Sequence, residues 1–352
     1  MALNPYSALP ADRFWRKAMT NQPPFAVDPR PIAPFRIDRG DRVATAGSCF
    51  AQRVAQALRD AGYNYHVVDR PAGLSDAEAA ARQFGTFSAR YGNLYYARQF
   101  VQLFDRAHGQ FTPQLTAWRR EDGRFVDPFR PTVEPAGFAD EAEVEAARQA
   151  HFADVRDLFR TLDVFVLTLG LTEGFRHRAD GAALPLAPGV AGGAYDPAEY
   201  AYVNAGAAEV TADLRAFLDR LWSVNAGARV ILTVSPVPMI ATYEDRHVLV
   251  SNSYTKSVLR VAAGEAAVGD DRAFYFPAYD LVTNNVMAGR YYAEDQRTIN
   301  DAGVRHVMRV FLDTFTNDGG RGAGADGAYI AAEIAAHSGV VCDEEEIERS
   351  VA

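Results

Sequence analysis

Ala46-Gly47-Ser48-Cys49-Phe50-Ala51 places a serine where a strand-like run meets a helical pattern. Arg42-Val-Ala-Thr-Ala before it reads as a short strand, and Val54, Ala55 and Leu58 recur at helical spacing after it. A serine on such a bend stands at the edge of a sheet with helix N-terminal amides beside it. Its hydroxyl would face the usual ligand crevice and attack a carbonyl, and those amides would stabilise the oxyanion. The same residue would also serve as a helix N-cap.

Other residue types offer weaker chemistry. Cys49 is a second nucleophile, but the residue after the bend points into the helix–sheet interface, where cysteine behaves as a small hydrophobe. Glu173, after a strand end, would bind a sugar hydroxyl or cap the next segment. Lys256 would hold an anionic substrate or stand as a solvated helix residue. Tyr91, Tyr95, Tyr96, Tyr291 and Tyr292 fall in segments flanking the expected crevice; aromatic faces stack on sugar rings, and such residues equally serve as core or rim.

The elements that must hold Ser48 follow from the apolar pattern. Strands are expected at Tyr65–Val68, 163–170, 229–234 and 273–276, with a hairpin over 116–126. Helices are expected over Phe50–Gly62, 76–83, 94–104, 140–161, 208–224, 253–268 and 301–315. The run 163–170 is almost continuously apolar, as in a strand buried on both faces. Strands alternating with helices predict an α/β fold, three layers α/β/α around a mainly parallel sheet. Residues 1–40, rich in proline and aromatics, read as an extended arm, 41–316 as the domain, and 317–352 as a Gly-rich linker with a small helical tail.

The chain has 352 residues, 48% hydrophobic and 23% charged, the balance of a globular protein with one large core or two ordinary ones. Its 36 Lys and Arg against 45 Asp and Glu give a net charge of −9, which argues against a nucleic-acid binder. Two cysteines are too few for a disulfide framework or a four-cysteine zinc site and suit a reducing compartment. Neither a secretory signal nor a membrane span is legible, so the expectation is a cytoplasmic protein. No Walker loop, zincin helix or Gly-x-Gly-x-x-Gly is present, so the expectation is no metal and no cofactor.

Ala46-Gly-Ser-Cys-Phe-Ala-Gln52 resembles the signature of the GSCFA domain family. Further segments resemble it in the same order: Phe84-Gly85, Tyr91-Gly-Asn-Leu-Tyr95, Leu167-Thr-Leu-Gly-Leu-Thr-Glu173, Asn225, Leu232-Thr-Val-Ser-Pro-Val237, Thr255-Lys-Ser-Val-Leu259 and Tyr275-Phe-Pro-Ala-Tyr279. They span roughly residues 40 to 315. The family is related to the SGNH or GDSL hydrolases, lipases and carbohydrate O-acyl esterases with a flavodoxin-like three-layer fold.

The resemblance implies that Ser48 is the nucleophile. Gly85, or the Gly92-Asn93 pair, then falls at the oxyanion glycine, and Thr172 stands where an oxyanion asparagine is usual; Ser48's own amide would join them. SGNH enzymes carry Asp-x-x-His before the final helix, with histidine as base. Here Asp295-Gln-Arg-Thr298 puts threonine in that place. His247, on a loop after the Ser-Pro-Val strand end, is the first substitute, then His306 and His177, with Asp295 as the orienting carboxylate. The implied function is a serine esterase or acyltransferase acting on a small-molecule or carbohydrate ester, acetyl by analogy. The alternative is a non-catalytic relative that binds a glycan or a partner in polysaccharide biosynthesis. The sequence leaves the oligomeric state open.

Overall fold

The computed structural model describes residues 4–69, 71, 73–317 and 341–351. In chain order the elements begin with α1 (Trp15–Met19), β1 (Val43–Gly47), α2 (Phe50–Asp60), α3 (Asp76–Ala81), α4 (Ala97–Ala107), β2 (Trp118–Arg119) and β3 (Phe125–Val126). Then come α5 (Glu141–Thr161), β4 (Val164–Leu169), β5 (Glu173–His177), β6 (Ala183–Leu184), β7 (Tyr200–Asn204), α6 (Ala207–Val224) and β8 (Arg229–Val234). The chain ends with α7 (Val248–Ala266), β9 (Ala273–Phe276), α8 (Ala278–Thr283), α9 (Asp301–Phe315) and α10 (Glu345–Arg349).

The main sheet is parallel throughout, in the order β1-β4-β8-β9. Its residues alternate between two cores, as the period of two in a strand demands. Ala44, Ala46, Phe165, Leu167, Leu169, Val230 and Leu232 pack with α4, α5, α6 and α7. Val43, Val164, Val166, Ile231 and Phe276 pack on the other face with α2, α8 and α9. This is the three-layer α/β/α arrangement read from the sequence. Each large aliphatic or aromatic side chain so buried contributes about 1.5–3 kcal/mol, and every residue of β4 is buried.

Helix ends follow local chemistry. Asp140 accepts from the Glu143 amide at 2.9 Å and Asn300 from the Gly303 amide at 3.0 Å, which fixes the starts of α5 and α9. Three expectations need correction. Tyr65–Val68 makes only one bridge, Val43 to Tyr65, because the Val68 amide turns away to the Ser88 carbonyl. The antiparallel sheet β6-β5-β7 was not foreseen, since its short strands lack strict alternation. α7 starts at Val248 instead of near 253, with His247 as its cap.

The proline-rich arm carries the short helix α1. It docks through buried Val27 and Ile37, with the Ile37 amide bonded to the Phe315 carbonyl. Of the expected linker, Asn317–Gly327, all but Asn317 lies outside the described residues. Beyond it, Val341–Glu344 leads into α10 and is bonded to Gln52, Asn93 and Tyr95.

Candidate active site

Ser48 sits where β1 ends and α2 begins. Its amide donates to the Thr168 carbonyl at 3.0 Å, completing the β1–β4 ladder, and its carbonyl accepts from Ala51 at 2.8 Å. The Ser48 Oγ is buried and has no hydrogen-bond partner, so the side chain does not cap α2. The backbone allows no larger neighbours. Gly47 has φ +133°, and a Cβ there would lie 2.1 Å from the Thr168 oxygen; one at Gly170 would lie 3.1 Å from the Ser48 Cβ. Two expectations fail here. The Ser48 amide is committed to the sheet and cannot serve an oxyanion, and the residue, 3% exposed with its hydroxyl buried, does not face an open crevice.

The C-terminal segment docks on α2 and on the 93–95 stretch, the two segments that flank Ser48. The Val341 carbonyl accepts from Gln52 Nε2 at 2.7 Å and Asn93 Nδ2 at 3.0 Å, while the Val341 amide donates back to Gln52 Oε1 at 2.9 Å. Gln52 Nε2 also donates to Asn93 Oδ1 at 3.3 Å, tying the two amides together. The Cys49 and Cys342 side chains lie near enough for each to shift the other's titration, Cys49 upward and Cys342 downward. Asp343 accepts from Thr132 Oγ1 at 2.7 Å, the Glu344 amide donates to Tyr95 Oη at 3.3 Å, and the Glu344 carboxylate pairs with Arg297 at 3.1 Å. Burial raises the Asp343 carboxyl to about 6 and raises Glu344 as well. A cleft of about 1160 Å³ runs along the outer side of this segment, lined in part by Thr132, Gly192, Cys342, Asp343 and Arg349.

Lys256, expected as a solvated residue or an anion anchor, is 1% exposed. Its Nζ donates to the Gly170 carbonyl at 2.9 Å, and Gly170 is the residue packed on Ser48. Burial lowers the ammonium to about 8. Glu344 and Cys49 lie near enough to act on its charge.

The other expected residues are placed as follows. Asn93 lies one residue before Leu94, whose amide bonds the Gly47 carbonyl at 2.9 Å, and so stands beside Ser48. Gly85 belongs to a turn whose amide faces Asp69 and whose carbonyl takes Arg59 at 2.6 Å. Thr172 donates to Asn204 Oδ1 at 2.7 Å and meets Thr255 at 2.9 Å, which commits its hydroxyl elsewhere. Glu173 accepts from Thr242 Oγ1 and the Tyr243 amide in the loop before α7, and not from the segment that follows it.

None of the described histidines is bonded to Ser48. His247 is exposed and accepts from the Leu249 amide at 3.1 Å, as the cap of α7. His306 is buried between Tyr291 and the Val27 carbonyl. His177 pairs with Asp180 at 2.9 Å. His337 lies outside the described residues. Asp295 orients no histidine: it closes a turn on Thr298, accepting from its hydroxyl at 2.5 Å and its amide at 2.9 Å. That turn delivers Arg297 to Glu344.

Tyr91, Tyr95, Tyr96 and Tyr291 are core residues, so they offer no stacking face. Tyr195 and Tyr243 are among the exposed aromatics, and they pack with Tyr202 around Phe175 on the small sheet. Sequence reasoning missed Gln52 as a functional residue, although it ends the motif run one helical turn after Cys49. It also missed Arg297, hidden between Asp295 and Thr298. Among the described residues no helix is long and apolar enough to cross a membrane, and no group of three or more His, Cys, Asp or Glu is arranged to hold a metal.

A family model described as GSCFA family matches residues 42–311. No curated protein matches the chain.

Proposed function

The chain belongs to the GSCFA family, and on that premise we propose that it is a serine-dependent ester hydrolase or acyltransferase. The observation that carries the reading is a buried, unpartnered Ser48 hydroxyl beside two side-chain amides that converge on one carbonyl oxygen. An unpaired buried hydroxyl calls for an explanation, and of the three among the described residues, those of Ser48, Thr168 and Thr233, that of Ser48 stands at the strand-to-helix bend. Two N–H donors aimed at one oxygen are what a tetrahedral oxyanion needs.

In this mechanism the C-terminal segment lifts, and the substrate carbonyl takes the place of the Val341 carbonyl between Gln52 and Asn93. Ser48 Oγ attacks the carbonyl carbon, and neutral Lys256 takes the proton, directly or through one water. The tetrahedral intermediate collapses, the leaving alcohol takes that proton, and the acyl group stays on Ser48. Water or a second hydroxyl then removes it by the same steps. A buried lysine replaces the histidine that the resemblance asks for, as Ser–Lys pairs do on other folds. An acetyl group and a carbohydrate substrate rest on the relation to SGNH hydrolases alone, as analogy. Tyr195 and Tyr243 offer exposed aromatic faces to which a sugar would dock.

A second reading has its own support. The segment that fills the amide pair, together with Thr298 in place of histidine, favours a non-catalytic relative that binds a glycan or a biosynthetic partner. Turnover of p-nitrophenyl acetate by wild type and Ser48→Ala separates the two. Loss of turnover in the folded variant supports the esterase; equal rates leave only the binding protein.

A further inference from the structure

The sequence has two cysteines, and the fold brings them together. Cys49 opens α2 next to Ser48; Cys342 lies in the C-terminal segment that docks on Gln52 and Asn93. Each thiol lies near enough to act on the other's titration. The approach is held by neighbours: Gln52, three residues after Cys49 and therefore on the same helix face, grips both the amide and the carbonyl of Val341, the residue before Cys342. On the other side Arg297 Nη2 lies 3.8 Å from the Cys342 sulfur and pairs with Glu344. Cys49 is buried, whereas Cys342 is partly exposed and lines the outer cleft.

We propose that Cys49 and Cys342 form a reversible disulfide that clamps the C-terminal segment over Ser48. Its regulatory consequence rests on the proposed function; the bond itself does not. A hydroperoxide entering from the cleft is the oxidant. The Cys342 thiolate attacks one peroxide oxygen and breaks the O–O bond, giving a sulfenic acid on Cys342 and releasing hydroxide, or an alkoxide from an organic peroxide. The Cys49 sulfur then attacks the sulfenic sulfur and expels its hydroxyl, which leaves as water with the Cys49 proton. Two thiols are oxidised by two electrons and one peroxide is reduced. A dithiol reductant reverses the bond by thiol–disulfide exchange.

The asymmetry of the pair fits these roles. The nearness of Cys49 holds Cys342 below the ordinary thiol range, and the same proximity, with burial, pushes Cys49 up. Cys342, on the cleft, is the cysteine that meets the peroxide, and buried Cys49 is the resolving one. In a reducing compartment the pair rests as two thiols, with the segment free to lift.

The test treats the full-length chain with hydrogen peroxide and follows three readouts: free thiols and the peptide map under non-reducing conditions, trypsin cleavage at Arg349, and labelling of Ser48 by a fluorophosphonate. The expected result is loss of both thiols, a single intramolecular link between the peptides holding Cys49 and Cys342, and slower cleavage. Labelling should fall by about 30-fold or more, the low end of what a disulfide contributes. Dithiothreitol should restore all three, and Cys342→Ser should leave cleavage and labelling unchanged by peroxide. Two surviving thiols, or links between molecules only, would overturn the disulfide. A mapped link with unaltered cleavage would overturn the clamp. Absence of Ser48 labelling in both redox states contradicts the proposed function, while the map and the cleavage rate still decide the disulfide and the clamp.

Discussion

Gln52 and Val341 lie 289 positions apart in the sequence, and Gln52 Nε2 donates to the Val341 carbonyl at 2.7 Å. Through this contact the far end of the chain occupies the space beside Ser48. On the proposed reaction, this peptide carbonyl held by two amides stands in for the substrate carbonyl, and the docked segment is a closed state that must open for Ser48 to react.

Opening should be sensitive to Arg297. Its pair with Glu344 is largely buried, with side-chain exposures of 17% and 8%. Removing one partner of a buried pair leaves an uncompensated charge at a cost of about 3–5 kcal/mol, and undocking the segment relieves it. Arg297→Met should therefore speed trypsin cleavage at Arg349 and fluorophosphonate labelling of Ser48, while the main thermal transition stays in place. Unchanged cleavage would show that the segment is held by other means.

Docking of the segment should also depend on pH. The docked state raises Asp343 from 3.8 to about 6 and raises Glu344 in the same direction, both by burial. Between about pH 4 and 6 the docked state therefore binds more protons than the released one, so docking weakens as pH rises through that window. Hydrogen exchange at the Cys342–Glu344 amides, corrected for intrinsic rates, should show more protection at pH 5 than at pH 7.5. Equal protection would contradict this.

Lys256 supplies the opposite limb. It must be neutral to accept a proton, and its ammonium titrates at about 8, so acylation should rise with pH and level off above that value. Lys256→Met should lower the rate about 100-fold or more and abolish this dependence. Stability follows the same titration. The folded pKa is depressed below the unfolded 10.5, so the unfolded chain binds more protons between about 8 and 10.5, and this residue's contribution to stability increases with pH across that window. A pH–rate profile of single-turnover acylation with no limb near 8 would remove Lys256 as the base.

Much of this was legible before any coordinates. The motif at Gly47-Ser48 placed the strand-to-helix bend, and the apolar runs at 163–170 and 229–234 gave the parallel sheet, because buried strands are continuous in apolarity. What was not legible depends on contacts across long stretches of chain. Lys256 reads as a surface helix residue until the Gly170 carbonyl appears at its ammonium. Thr172 reads as an oxyanion donor until Asn204 takes its hydroxyl. His247 looked well placed after a strand end, yet α7 begins one residue later and uses it as a cap. Arg297 and the docked segment were hidden for the same reason: nothing local marks a residue whose partner is a distant tail.

The glycine at position 47 has a definite expected effect. Its φ of +133° and the 2.1 Å approach to the Thr168 oxygen admit no side chain. Gly47→Ala should cost about 2–5 kcal/mol through backbone strain and overpacking together, read as a lowered midpoint in urea unfolding. A midpoint equal to wild type would show that β1 and β4 can separate without penalty.

The central claim is that the Ser48 hydroxyl carries the acyl group. The direct measurement is intact-protein and peptide mass spectrometry of the reduced Arg297→Met chain after brief exposure to p-nitrophenyl acetate and acid quenching, beside the same chain carrying Ser48→Ala. The account predicts one acetyl group on the peptide containing Ser48, stoichiometric with the burst of p-nitrophenolate, and neither in the alanine variant. Acetylation confined to other residues, or equal in both proteins, would contradict it.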